Sequence, residues 1–243
     1  MKFPGINIQI SDKAKLGKNV RIGSNVVIYD NVVIGDNSTI CDHCVIGEPE
    51  SNYYSSDSYE NPATIIGENA LIRSRSIIYS GVQIGDGFST GHDVIIREKS
   101  VIGNHCSIGT RSDLQGHLSI GNYCRLHSNV HLCQFSQLGD FVFVYPNVVL
   151  ANDKYPPSEK VVGPKIGDYT QIGVQSTIIG DVSIGSNCLI GASSTVAKSF
   201  KDYSFILGAP AMRKSDVREL LDAGGKSLYP WKNRFSRNMP WHP

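Results

Sequence analysis

The 243-residue sequence has almost no excess charge of either sign: 23 Lys and Arg stand against 22 Asp and Glu, a formal balance of +1 with histidine neutral. A near-neutral body generates no long-range field of one sign, so nothing favours nucleic acid or a charged membrane surface as a partner. An apolar run of about eighteen residues, the minimum for a spanning helix, does not occur. The opening MKFPGINIQI lacks the apolar core of a secretory signal. The six cysteines make no zinc-ribbon pattern, since Cys41 and Cys44 form a lone C-x-x-C.

What the sequence has instead is a period. From Ile66 onward every sixth residue is aliphatic: Ile66, Ile72, Ile78, Ile84, then Thr90, then Ile96, Ile102, Ile108, Leu114, Ile120, Leu126, Leu132, Leu138, Val144 and Leu150. The same frame runs before it, from Ile22 to Ile46, and after it, from Ile166 to Val196. A second period lies over the first, because Gly67, Gly85, Gly103, Gly121 and Gly139 recur every eighteen residues. Three sixes per eighteen describe a triangular coil of three short strands, and a repeat of that kind predicts an all-β parallel solenoid. A sandwich of short strands alternates with period two and spaces its turns irregularly, so it would not hold one frame over this length. In each six the first residue points inward and is large. The fifth also points inward and is small or β-branched, as in Ala70, Ser76, Val82, Val94 and Ser100. The second is expected at the corner, where glycine tolerates unusual backbone angles. Cys44, Cys106, Cys124 and Cys188 fall on the inward fifth position, where cysteine serves as a small hydrophobe. Cys41 and Cys133 fall at corners, and the expectation is a reduced, cytoplasmic protein.

Along the chain, residues 1–19 read as a lead-in capping the first coil, and the solenoid domain as extending over 1–212. Two polar segments break its frame, at about 48–62 (EPESNYYSSDSYENP) and 151–165 (ANDKYPPSEKVVGPK), and read as extruded loops. Near Val196 the frame ends and SFILGAPAMRK is expected to leave the prism. Residues 213–243 read as a short helix, SDVRELLDAGG, capped by Ser215 or Asp216 and stopped by Gly224, followed by a basic aromatic tail. The tail reads as a subunit contact or a cover on the cofactor side.

Chemistry is expected where the regular scaffold breaks its own rule. Thr90 interrupts the aliphatic ladder, Phe88 is large at a small position, and His92 and Asp93 follow. At the glycine corner the second position is always Gly. At the next corner it is Arg73, Gly91, Gly109, His127 and Tyr145, and at the third Tyr79, Arg97, Gln115, Cys133 and Ala151. His92 and His127 thus share a corner about two coils, or roughly 10 Å, apart. A neutral imidazole is a competent base toward an ammonium or hydroxyl nucleophile. A backbone N–H one coil above His92, near Gly109 and Thr110, could hold an oxyanion. His127 and His131, with Asn129 between them, form a second candidate group. Stacked corners can carry a three-histidine zinc site, but Asn122 stands where a partner ligand is wanted and His105 and His117 occupy other places in their sixes. No metal is expected.

At this point the sequence resembles the left-handed β-helix acyltransferases of the hexapeptide-repeat family, over about residues 20–212. RSRSIIYSG, TGHDVIIRE, HSNVH and PNVVLANDKYPP resemble the branch that acylates amino groups of nucleotide-linked sugars. The resemblance implies a homotrimer with sites between subunits, acetyl-CoA as acyl donor, and a nucleotide-linked amino sugar of surface-glycan assembly as acceptor. It implies His92 as base, Asp93 as its orienting acid and the Thr110 amide as oxyanion donor, with His127 and His131 as further catalytic candidates. Arg73, Arg75, Tyr79, Asn129, Asn152 and Asp153 would serve the sugar nucleotide. ILGAPA resembles the closing segment near the CoA end, which implies cofactor contacts at Gly173, Gly191, Ala192, Lys198 and Arg213. Alternatives of other kinds are an O-acetyltransferase, a zinc carbonic-anhydrase-like protein, and a non-enzymatic scaffold.

Overall fold

A computed structural model describes residues 5–241. Short parallel strands wind into a three-sided prism whose faces contain ten, nine and eleven strands. Face A runs from Gln9–Ile10 to Thr195–Val196, face B from Lys15–Leu16 to Ser183–Ile184, and face C from Arg21–Ile22 through Leu189–Ile190 to Ser204–Leu207 and Met212–Asp216. Residues eighteen apart are vertical partners, as in Ile77 with Ile95 on face A and Ser107 with Arg125 on face C. The register survives both extruded loops, with Val45 paired to Ile77 and Val149 to Thr177. The first and fifth residues of each six line one continuous core: Ile66, Ile72, Ile78, Val82, Val94 and Ile96 are essentially inaccessible. The prism is the parallel solenoid expected from the repeat, a left-handed β-helix as the resemblance implies.

The corners differ from expectation in one respect. The residue in the left-handed backbone region is the fourth of each six and not the second: Asn69, Arg75, Gly81, Gly87, Asp93 and Lys99 all have φ between 55° and 75°. The fourth position is therefore where asparagine and glycine lower the cost of the turn. The second-position glycines are needed for close approach between coils. A Cβ on Gly67 would lie 2.6 Å from the carbonyl carbon of Gly85 and 2.7 Å from the amide of Asp86. That closeness lets a third-position Asp or Asn cap the coil below it: Glu68 N–H donates to Asp86, Asp86 to Asn104, Asn104 to Asn122 and Asp140 to Asp168, at 2.8–2.9 Å. The B-to-C corner thus spends its free amides on a carboxylate and amide ladder.

Three boundaries are corrected. Strands begin at Gln9, within the expected lead-in. The chain does not leave the prism after Val196, because Ser204–Leu207 adds a parallel strand to face C beside Leu189–Ile190 and buries Ile206. The expected α-helix after it is absent among the described residues. Met212–Asp216 turns back as an antiparallel strand on Ser204–Leu207, and only Val217–Glu219 forms a 3-10 turn, capped by the Asp216 side chain. Pairing with the open edge of face C, together with full burial of Val217, outweighs a weak helical preference. Both extruded loops leave the A-to-B corner, and the first folds as Ser51–Tyr54 with Tyr53 edge-on to Tyr29, Tyr54 and Tyr59.

Candidate active site

The outward residues of face C, read up the column, are Leu71, Ser89, Ser107, Arg125, Phe143 and Gln171. Beside them on the C-to-A corner stand Arg73, Gly91, Gly109, His127 and Tyr145. Both columns become small over the same two coils, Ser89 with Gly91 and Ser107 with Gly109. Large side chains stand above and below. The result is a cavity of about 690 Å³. Arg73, His92, Thr110 and His127, all singled out from the sequence, line it together.

The broken ladder has a structural consequence here. Thr90 is buried, and its hydroxyl accepts the Arg73 N–H at 2.8 Å. Elsewhere on this face the equivalent amide bonds to a backbone carbonyl of the next coil, as Cys41 does to Ile72 and Gly91 to Ile108. Only Ser89 pairs with Leu71 at that step, so a backbone rung is replaced by a side-chain bond in the coil that presents His92. Phe88, fully buried at an inward position usually filled by a small residue, adds bulk to the core where Thr90 is shorter than the aliphatic it replaces.

His92 is exposed, and its backbone N–H donates to Thr110 Oγ1 at 3.2 Å. The Thr110 N–H donates to no protein group among the described residues. Lower in the prism Asp42 caps the Ser24 N–H on this C-to-A corner, but over the cavity coils no Asp or Asn does so, and the third-position Thr110 amide is left open toward the cavity, close above Gly91. His127 is exposed and stacks on Tyr145, with ring centroids 5.0 Å apart and planes 9° from parallel. Partial desolvation, reinforced by the Arg125 charge, pushes its pKa below the ordinary value of 6.5 and favours the neutral imidazole.

Asp93 does not hydrogen-bond to His92. It occupies the left-handed corner position, and its carboxylate accepts from the Arg75 guanidinium one coil below, Nη2 to Oδ2 at 2.9 Å. That bond, more than any effect of His92, lowers the Asp93 pKa. Arg75 is thereby committed to Asp93 and lies off the cavity. His131 sits on face A, 3.3 Å from Asp113 Oδ2, which also accepts from Gln115 at 2.7 Å. Asn129 holds the left-handed corner position two coils above Asp93. Tyr79 lies on the A-to-B corner under the Arg97 guanidinium, and Asn152 and Asp153 start the second loop, where Asp153 accepts from Ser158 N–H at 2.8 Å. None of these lines the cavity within one chain. Gly173, Gly191 and Ala192 continue the C-to-A corner above Tyr145, and a Cβ on Gly173 would sit 2.6 Å from the Ala192 amide. Lys198 and Arg213 line a separate hollow near the end of the prism, with Lys198 Nζ 3.3 Å from Met212 Sδ.

Several lining residues were not anticipated. Ser89, Ser107, Arg125 and Phe143 are outward residues of face C, and reading the sixth residue of each six at the same eighteen-residue spacing would have found them. Phe235, Arg237 and Asn238 come from the C-terminal tail, which no periodic signal locates. The tail packs on face C through a second apolar cluster of Phe143, Trp231 and Met239. Trp231 Nε1 donates to Tyr169 O at 2.8 Å, and Tyr229 Oη to Gln171 at 3.0 Å. Beside it, left-handed corner residues stack up the B-to-C edge: His105 on Tyr123, Tyr123 on Phe141 and Phe141 on Tyr169, with centroids 4.8–5.1 Å apart.

No group of three or more His, Cys, Asp or Glu side chains that could hold a metal ion occurs among the described residues. All six cysteines are free thiols, and burial pushes Cys44 and Cys188 up to about 11. No helix among the described residues is long and apolar enough to cross a membrane.

Comparison with known proteins gives the following relationships. The family described as bacterial transferase hexapeptide (six repeats) matches residues 13–48 and 163–198, and that described as hexapeptide repeat of succinyl-transferase matches residues 63–88. The bifunctional protein GlmU of Synechococcus sp. is 25% identical over 174 residues, covering 68% of this chain and 37% of that protein. A serine acetyltransferase of Staphylococcus aureus is 34% identical over 73 residues, covering 30% of this chain and 33% of that enzyme. The chain therefore spans about a third of the length of these curated relatives. Among solved structures, a UDP-N-acetylglucosamine acyltransferase from Campylobacter jejuni superposes with a TM-score of 0.61 at 17% identity, over 98% of this chain and 79% of that one. That likeness concerns the fold. Repeat, register and fold agree: the chain carries hexapeptide repeats of these transferase families, wound into a left-handed parallel β-helix.

Proposed function

We propose that this protein is an acyl-CoA-dependent acyltransferase whose acceptor is an amino group on a nucleotide-linked sugar. The observation that carries the reading is the juxtaposition of an accessible imidazole, His92, with the uncommitted Thr110 N–H on the adjoining coil of one cavity. In the reaction the acceptor amine attacks the thioester carbonyl. A nitrogen–carbon bond forms, the carbon–sulfur bond breaks, and the electron pair leaves on the CoA sulfur. His92 takes the proton from the nitrogen and returns one to the thiolate. The Thr110 N–H stabilises the oxyanion of the tetrahedral intermediate. Holding amine and thioester in line supplies much of the remaining rate enhancement. His127, whose pKa is lowered by partial desolvation and the Arg125 charge, is the second candidate for the proton transfer. The pantetheine arm is assigned to the C-to-A corner along Gly173, Gly191 and Ala192, above Tyr145.

The assembly we propose is a homotrimer. Face B supports it with Val33, Ile65 and Val101, each at least 38% exposed and aligned in one column with Gln83. Acetyl-dependent CoA release against a panel of nucleotide-linked amino sugars and their hydroxyl counterparts tests the reaction. His92→Ala should lower turnover about 100-fold or more, the usual worth of a general base, with CoA affinity nearly unchanged. Wild-type turnover in that variant removes His92 from the mechanism. Release only with hydroxyl acceptors replaces the amine by an alcohol.

A further inference from the structure

We propose that the C-terminal tail completes an anion site, in which Arg237 on the tail and Arg125 on face C form a wall of the cavity that binds the diphosphate of a ligand. The inference rests on the transferase reading for the ligand's identity, because acyl-CoA and nucleotide-linked sugars both carry a diphosphate ester.

The charge around the cavity is one-sided. Its lining holds Arg73, Arg125, Arg237, His92 and His127, and no Asp or Glu. An adjoining hollow of about 450 Å³, shared through Arg125 and Asn238, also lacks a carboxylate. Four guanidinium groups away from the cavity are neutralised, Arg75 by Asp93, Arg97 by Glu98, and Arg213 and Arg218 by Asp216, whereas Arg21, Arg111 and Arg234 have no carboxylate partner among the described residues but do not line this cavity. Arg125 and Arg237 have no such partner among the described residues. Arg125 is held in place between two rings, 5.3 Å from the Phe143 centroid and 5.5 Å from that of Phe235. One of its N–H groups donates to the Arg237 carbonyl at 2.8 Å. A guanidinium has five N–H donors in a planar fork suited to phosphate oxygens, so this contact leaves most of them free. Burial and the neighbouring Arg237 charge both lower the Arg125 pKa, the mark of a cation placed without its counter-ion. A doubly charged diphosphate relieves both effects, and the tail is what brings the second arginine to it.

Titration calorimetry on the full chain tests the site, with inorganic pyrophosphate as the probe and UDP and CoA as the two ligand arms. Arg237 is exposed, so Arg237→Gln should fold normally. It should weaken pyrophosphate at least about tenfold, equivalent to about 1.4 kcal/mol, with Arg237→Lys in between. A parallel loss for UDP with CoA unaffected assigns the site to the acceptor, and the converse assigns it to the cofactor; either outcome supports the site. No pyrophosphate binding by the wild type, or wild-type affinity in both Arg237→Gln and Arg125→Gln, overturns it. Intact pyrophosphate binding with no acyl transfer on any acceptor would sink the transferase reading and leave the anion site standing.

Discussion

Gly91 sits directly below Thr110, and replacing it by alanine isolates the contribution of one backbone amide. A Cβ built there would lie 2.5 Å from Thr110 Oγ1 and 2.8 Å from Thr110 Cα, and nearer still to the amide nitrogen. The corner must shift, at the usual overpacking cost of about 1–3 kcal/mol, and the methyl covers the N–H assigned to the oxyanion. Gly85→Ala is the matched control. Its Cβ meets Asn104 N at 2.9 Å and the Gly103 carbonyl carbon at 3.0 Å, a similar clash on the B-to-C corner, which does not line the cavity. The two variants should lose comparable stability in denaturant melts. Losing one preorganised oxyanion donor lowers turnover by about 10²–10³, and only Gly91→Ala should show it in a CoA-release assay. Equal turnover in the two variants, each corrected for its folded fraction, would refute the assignment of Thr110.

Phe88 is completely inaccessible, so Phe88→Ala should cost about 3–5 kcal/mol, read as a lowered denaturation midpoint; a loss below about 1 kcal/mol would show that Phe88 does not fill the core beside Thr90. His127 has a folded pKa below its ordinary value of 6.5, so the unfolded chain binds the proton more readily. Its contribution to stability is complete above pH 6.5 and declines as pH falls through the folded value, and His127→Gln should flatten that part of a stability-versus-pH curve. Trp231 is buried against Phe143 and bonded to Tyr169 O. Trp231→Ala should remove about 3–5 kcal/mol of tail docking, making residues 220–241 protease-sensitive while the prism melts as before; an unchanged digestion pattern would mean other contacts hold the tail.

Much of the fold was legible because a β-solenoid writes its geometry as a period. Residues one circuit apart must stack, so Ile66, Ile84 and Ile102 announce the core and Gly67, Gly85 and Gly103 announce an edge. The period showed that those glycines matter and mislocated the reason. Close packing between coils requires them, and the left-handed turn belongs to Asn69 and its equivalents two residues later. Stacking also explains why Arg73, His92, Thr110 and His127 could be gathered from the sequence, since all lie on one corner within a few circuits. Asp93 shows where that reasoning stops. Adjacency in sequence suggested a partner for His92, but the corner places successive side chains apart and brings Arg75 to the carboxylate from the coil below. The strand after Val196 and the tail follow no period, so their positions depend on what they meet: an open edge of face C that Met212–Asp216 pairs with, and an aromatic surface that Trp231 covers. The sequence by itself determined the prism, its core and the corner that holds the imidazoles. Tertiary structure alone decided that a distant segment closes the cavity and sets Arg237 beside Arg125, because that contact depends on complementary surfaces and not on spacing along the chain.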